Sequence, residues 1–452
     1  MNNTRAGQSI LRSTLLGLIS SSLLSSTLLG SESNSAPVQP EEMQYGSFHY
    51  HENPACEPQG CQQVGGAENL NFGLTGDWFG RRTTLAQNGV TFDGDVTSFY
   101  YGVASGGRER DFRFGGHGDY VFNVDAGKLG IQEGLFFKTR IEHRYGESIN
   151  GATGALMPAT VLTDLPVADS DSLYVTNFLV TQAFSENFAV FAGKLDTFDG
   201  DLNSYAHGRG KTQFSNMAFV VNPILLRTVP YSTLGMGFVV MSDMQPVFTF
   251  TALNATDTTK SSGISHLFED GITLNAEGRI RTNFLGQQGH QLLGAAWSSK
   301  TYTSLGQDPR IVTGQIPIAR SEGSWAIYHN FDQQLIEDYC NPDRGWGIFG
   351  RSGIGDDETN PMEYFLSFGV GGSSLLRGRD HDQFGIGWYY LGASSELGPL
   401  LARVGDGQGV EMFYNYRLNS KVDITPDMQV IKPGLAGTDT ALGLGLRANI
   451  RL

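Results

Sequence analysis

Alternate positions of the closing stretch of the chain separate by polarity. Leu442, Leu444, Leu446, Ala448, Ile450 and Leu452 fall on one side, and Ala441, Gly443, Gly445, Arg447, Asn449 and Arg451 on the other. A two-residue period predicts a strand with one apolar and one polar face. A soluble sandwich strand has the same period, but a stretch of this length also suits a tilted strand crossing a bilayer, which needs ~9–11 residues. The pattern recurs upstream. In Phe136 to Tyr145, Lys138, Arg140, Glu142 and Arg144 oppose Phe137, Thr139, Ile141, His143 and Tyr145. In Leu274 to Phe284, Asn275, Glu277, Arg279, Arg281 and Asn283 oppose Leu274, Ala276, Ile280, Thr282 and Phe284. In Val410 to Leu418, Glu411, Asn415 and Arg417 oppose Val410, Met412, Tyr414, Tyr416 and Leu418.

Charge of both signs on one face of strand after strand discriminates between barrel types. A small soluble barrel fills its interior with apolar side chains, whereas a large membrane barrel turns its apolar face to lipid and its polar face to a wet lumen. Dry Arg and Glu on a buried face cost several kcal/mol each, a cost that a water-filled lumen removes. The expected fold is therefore an all-β, transmembrane antiparallel barrel with a short N-terminal helical segment. About 380 residues follow the N-terminal region, and roughly 22–26 residues per strand with its share of turn and loop gives about 16 strands, with 18 as the next even number. An even count places both ends of the barrel on the periplasmic side.

Composition supports many strands and turns, with Gly at 59, Phe at 28 and Tyr at 17. No run beyond the N-terminal region approaches the ~18 apolar residues of a membrane helix. The net charge of −15 argues against a nucleic-acid partner, which requires a basic surface. Acidic stretches such as Asp199–Asp201 and Asp356–Glu358 read as solvated loops or as cation attraction at a pore mouth. Asp199 to Asn203 has some character of a calcium loop but lacks the bidentate Glu at the required distance, so a solvated turn is expected.

The first 36 residues read as a signal peptide, with Arg5 and Arg12 ahead of the serine-interrupted apolar stretch Leu15 to Leu29 and Ala36 as a cleavage position. Residues 37–69, rich in Pro, Gly, Gln and Glu, read as a flexible periplasmic segment, and 70–452 as the barrel domain. For Cys56 and Cys61 a small disulfide loop, free or partner-linked thiols and a metal site with His49 and His51 stay open; Cys340 is left over. No cofactor and no metal are assigned.

Leu74 to Val90 carries turn-forming Gly and Asp, a helical piece predicted over Arg82 to Asn88, Gly89 as its C-cap and a strand beginning at Val90. Its pattern of Gly76, Asp77, Trp78, Gly80, Arg82, Leu85, Gly89 and Val90 resembles the opening of the carbohydrate-selective outer-membrane porins of the OprB type. The likeness continues in Ala192–Gly200, Gln213–Asn216, Asn222–Pro223, Val410–Leu418 and Ile424–Ile431, and so covers about 70–452. The resemblance implies an outer-membrane channel for passive diffusion of small sugars, with some loops folded inward. It also implies outer-membrane lipid and the barrel assembly machinery as partners. The family tends to end in an aromatic residue that this machinery reads; here the end is Leu452, apolar and on the lipid face.

A sugar offers hydroxyls to Arg and carboxylate groups and flat C–H faces to aromatic rings, so weak binding at several places along a polar wall suits conduction. By face alone, Arg140, Glu142, Arg144, Glu277, Arg279, Arg281, Glu411 and Arg417 are the candidate channel-lining residues; each also fits a structural inter-strand ion pair. Tyr414 and Tyr416, like Phe99, Tyr100 and Tyr101, fit an aromatic girdle at the headgroups or cross-strand packing. Loops are expected over 150–171, 257–265 and 332–355, where alternation fails. A non-selective porin has the same strands. A surface polysaccharide-binding protein or adhesin shares the Gly and Tyr content but not the charged face. For an enzyme, none of the nine histidines, His207, His266 and His381 among them, sits in a nucleophile motif. An apolar lipid face and a subunit interface read alike, so monomer and homo-oligomer stay open.

Overall fold

The structure is a computed structural model and describes residues 72–452 apart from 339, 340, 375 and 377. The signal peptide, the segment to residue 69, Cys56, Cys61 and Cys340 lie outside the described residues. The expected short helix is α1, Arg81–Gln87, and Gly89 (φ 85°) turns the chain into the first strand, a left-handed conformation that costs glycine least.

Strands β1 to β8 are Val90–Gly107, Phe112–Asp125, Leu135–Gly146, Tyr174–Ser185, Phe188–Asp196, Ser232–Ser242, Gln245–Asn254 and Ile272–Phe284. Strands β9 to β16 are Gln287–Thr303, Arg320–Asp338, Asn341–Gly355, Met362–Ser373, Gln383–Ala393, Gly407–Arg417, Val422–Lys432 and Asp439–Arg451. Each pairs antiparallel with its neighbours in sequence, and β1 pairs with β16, Asp95 opposite Arg451 and Tyr100 opposite Leu446, to close a sixteen-stranded barrel. Closure pairs both sides of every strand across the body of the barrel, as a bilayer requires.

The two ends of the barrel differ. At one end, two-residue turns at 186–187, 243–244 and 285–286 join hairpins. Positive φ at Asp243, Met244, Leu285 and Gly286 gives the primed turn geometry that matches the twist of paired strands. Both barrel termini lie at this end, the periplasmic one. The other end carries the long connections 147–173, 197–231, 255–271 and 304–319, as an outer-membrane barrel carries them on its outer side.

Outward positions are large and apolar, among them Tyr100, Phe178, Met236, Ile280, Phe368, Ile386 and Leu446, all exposed. Inward positions are polar and buried, among them Thr97, Asp119, Arg140, Asn415, Gln429 and Arg447. They are buried because two of the outer connections fold into the barrel. From 147–173 come Ile149, Met157, Val161 and Leu162; from 197–231 come Phe214, Phe219 and Ile224. The second set packs on the inner wall against Phe349, Phe365, Tyr389 and Phe413. The Phe214 ring meets Phe219 at 4.6 Å and Phe413 edge-on at 4.8 Å. The wall is glycine where these rings press on it, since a Cβ at Gly387 would sit 2.6 Å from Phe219 and one at Gly385 2.7 Å from Phe214.

Two expectations change. Residues 332–355 are not a loop: β10 and β11 pair across them, Asp332 with Phe349 and Gln334 with Gly347. A register shift between Gln334 and Ile336, together with the many glycines of β11, interrupts the alternation that marks a strand. Of Phe99, Tyr100 and Tyr101, only Tyr100 faces outward. Phe99 and Tyr101 are buried inside, the Tyr101 hydroxyl donating to Asp427 at 3.0 Å.

Candidate functional site: a charge-pinned loop across the lumen

The connection 197–231 leaves β5 at Asp196, whose carboxylate accepts from the Phe198 amide at 3.0 Å and starts a helical turn inside the barrel. From there the loop is gripped by charge. Arg140 on β3 bridges Asp119 at 3.1 Å, Asp196 at 3.0 Å and also Asp199. Lys138 reaches Asp199 at 2.6 Å. The loop returns cations of its own. Arg209 pairs with Glu142 at 2.8 Å, Asp196 at 2.9 Å and Asp199 at 3.2 Å, and Lys211 pairs with Asp95 at 2.5 Å and Asp119 at 2.7 Å. Glu142 also accepts from the Tyr231 hydroxyl at 2.6 Å.

Five carboxylates and four cations thus interleave between β1–β3, the end of β5 and the loop, each paired with at least one neighbour of opposite sign. Burial works against the charge on Asp199, but Arg140, Lys138 and Arg209 outweigh it and hold its carboxyl well below the usual range. Burial likewise opposes the charge on Lys211, while Asp119 and Asp95 hold its ammonium above the ordinary lysine value. The expectation of a solvated turn at Asp199–Asp201 is corrected: Asp199 pairs with Arg140, Lys138 and Arg209, and Asp201 with the buried Arg351.

The other walls hold the same loop. The buried Arg351 on β11 donates to Asp201 at 2.8 Å and to the Phe219 carbonyl at 2.8 Å. Asn203 donates to the Phe331 carbonyl at 2.9 Å, and Ser204 to Asp332 at 3.2 Å. On β14, Glu411 accepts from the amides of Ser215 at 2.5 Å and Asn216 at 2.9 Å. Arg447 on β16 donates to the carbonyls of Gly210 and Gln213. The loop therefore spans the lumen from β3 to β11 and back to β16.

A barrel of this kind, narrowed from within, is matched over residues 109–452 by the model of the carbohydrate-selective porin, OprB family. The chain belongs to that family. Among solved structures, the high-pH structure of Pseudomonas putida OprB is similar with a TM-score of 0.72 and 19% identity over 84% of this chain and 98% of that one. The low-pH structure of the same protein gives 0.53 and 16% over 84% and 98%. At these identities the likeness is one of fold. A search of curated proteins finds no match. The porin is a sugar-selective channel of the outer membrane, and its family and fold are those of a channel rather than an enzyme.

The candidate residues of the porin fall into four groups. Arg140, Glu142 and Glu411 are buried against loop 197–231. Arg144 is buried against the other inner connection, donating to the Ala168 carbonyl at 2.6 Å. Glu277 and Arg279 stand on β8, where Glu277 accepts from the Tyr328 hydroxyl at 2.6 Å and Arg279 approaches the Leu202 carbonyl at 3.5 Å. Arg281 and Arg417 lie at the periplasmic rim, held by Asp243 at 2.9 Å and Asp423 at 3.1 Å.

Face counting misses the last residue of β5, Asp196, and the loop's half of the site: Asp199, Asp201, Arg209 and Lys211. The available signal was the alternation of an acidic stretch, 196–201, with a basic one, 209–211, inside a segment without strand period.

Proposed function

We propose that small sugars cross the porin by passive diffusion alongside loop 197–231, and that the pinning of this loop sets which solutes pass. The observation that carries this reading is the grip on one loop by buried charges from opposite walls. An aperture bounded by such a loop keeps its width and its polar lining while solute moves through.

Within this reading the candidate residues divide. Arg140, Glu142, Arg144 and Glu411, whose polar atoms are taken by the inner loops, act as positioning residues. Glu277 and Arg279, less enclosed, together with the partly exposed Lys138, present donors and acceptors to sugar hydroxyls. Weak and multiple contacts of this kind let a solute enter and leave. The outward apolar face is the surface for outer-membrane lipid, and the chain reaches the membrane through the barrel assembly machinery.

The test is uptake by proteoliposomes of a monosaccharide, a disaccharide and an amino acid of similar size, for the wild type and for Arg279→Ala. Faster sugar entry, with the advantage reduced in the variant, supports the reading. Equal entry of all three solutes into wild-type vesicles contradicts it and leaves a general pore.

A further inference from the structure

The segment ahead of β1 lies outside the lumen and has an unusual surface. Trp78 and Phe79 both take left-handed backbone angles, φ 51° and 61°, which bulky side chains rarely adopt. Contacts on either side of the pair maintain the strain: Asp77 accepts from the Thr83 amide and hydroxyl, each at 2.8 Å, and Arg82 is anchored in the barrel seam. The result is that Phe79 is fully exposed, at 107%, with Leu74 at 61% close by in the chain. Strain that carries a phenylalanine into water needs a partner for that ring.

The position of Trp78 indicates the partner. Its ring lies 5.8 Å from that of Phe92, and Phe92 lies 4.9 Å from Phe122. Phe92 and Phe122 pair across β1 and β2 and, by alternation with the inward Asp95 and Asp119, sit on the lipid-facing side. They belong to a row of outward aromatic residues beside the periplasmic turns, which includes Phe184, Phe188, Phe248 and Phe284. Such a row marks the headgroup level of a barrel. Trp78 extends this row off the barrel wall, and the fully exposed Phe79 follows it in the chain.

We propose that Leu74, Trp78 and Phe79 form an interfacial anchor that inserts into the periplasmic leaflet of the membrane, the occupant being a phospholipid surface. Arg81, exposed at the start of α1, is placed to meet phosphate at the headgroup level. Continuity with the lipid-facing aromatic row favours lipid over a periplasmic protein.

The test places a reporter at the exposed position. Phe79→Trp, in the full chain, is reconstituted into phosphatidylethanolamine–phosphatidylglycerol vesicles, and the emission in excess of the wild type is recorded. The expected result is a blue-shifted excess that loses intensity with acyl chains brominated near the headgroup, less with chains brominated near the methyl end, and little with aqueous acrylamide. Leu74→Trp serves as a second reporter, and heat-modifiability on gels checks that each barrel is folded. Excess emission in both folded variants that is red-shifted, quenched by acrylamide and untouched by brominated lipid overturns the proposal. The same water-exposed signature together with capture of a periplasmic protein at this site would assign the surface to that protein instead.

Discussion

The guanidinium of Arg82 donates to the main-chain carbonyl of Leu452 at 3.0 Å and to that of Phe92 at 2.7 Å. Val90 to Gly94 of β1 extend past the end of β16 and pair only with β2. Their outer edge would otherwise present unpaired carbonyls. Arg82 supplies donors at that edge, the Leu74 amide adds a bond to the Arg451 carbonyl at 2.7 Å, and the Leu452 amide returns to Gly94 at 2.8 Å. The N-terminal motif is thus a clasp on the seam where the barrel closes.

Arg82→Ala should lower barrel stability by on the order of 2–3 kcal/mol, the scale of lost hydrogen bonds from a charged donor. The check is the temperature at which the compact band on gels converts to the unfolded one. Arg82→Lys should fall between wild type and Ala, because an ammonium cannot span both carbonyls as the planar fork does. A melting temperature equal to wild type in Arg82→Ala would show that the clasp does not stabilise the barrel.

Arg140→Ala leaves Asp119, Asp196 and Asp199 short of a shared cation in a buried setting. Removing one partner of such a network costs about 3–5 kcal/mol. Arg279→Ala, with its weaker single contact, should change stability by only about 0.5 kcal/mol. Denaturation midpoints of the two variants, measured side by side, separate a positioning arginine from one available to solute.

Phe219 has no exposed surface and packs edge-on against Phe349 and Tyr389. Phe219→Ala should cost about 3–5 kcal/mol as a large-to-small change in a core. Gly387→Val should disturb the same place from the wall side by pushing the ring away. In both variants, faster proteolysis within 197–231 while the barrel stays heat-modifiable is the expected signature, and a loop as resistant as in wild type would contradict it.

The pH dependence rests on Asp199. Burial opposes its charge, but Arg140, Lys138 and Arg209 hold its folded-state pKa below the unfolded value of about 4. The stabilisation it contributes is therefore complete above that value and is lost only as pH falls beneath it toward the depressed value. The stability lost in Asp199→Asn relative to the wild type should accordingly stay constant from neutral pH down to about 4.5 and shrink only below it. Asp199→Asn, which cannot pair with its cations, should show a looser loop throughout that range. A wild-type to Asp199→Asn stability difference that changes between about pH 7 and 5 would contradict this assignment.

Much of the barrel was legible because the bilayer enforces a simple rule on it. Where one face meets lipid and the other a polar interior, the period of two survives in β3, β8, β14 and β16, and the charged face identifies the barrel as reversed. The rule weakens where neither condition holds. Around Gln334 a bulge shifts the period, and in β11 Gly345, Gly347, Gly350 and Gly353 carry no side chain to read. At Phe99 and Tyr101 aromatic character pointed outward, but the inner connections bring an apolar core into the lumen, so inward aromatics have partners there too. The loop half of the candidate site was not legible because it has no period. Asp199 and Arg209 meet only once 197–231 has folded into a closed barrel, and alternation says nothing about where such a segment goes.

The most direct test of the pinned loop is the single-channel conductance of Arg209→Gln in planar bilayers, combined with its relative permeability to a monosaccharide and an amino acid of similar size. Arg209 belongs to the loop and touches Glu142, Asp196 and Asp199, so the substitution loosens the constriction without altering a strand. A pinned loop predicts higher conductance and loss of the preference for sugar. Wild-type conductance with the preference intact, in a variant whose barrel is folded by heat-modifiability, would contradict it.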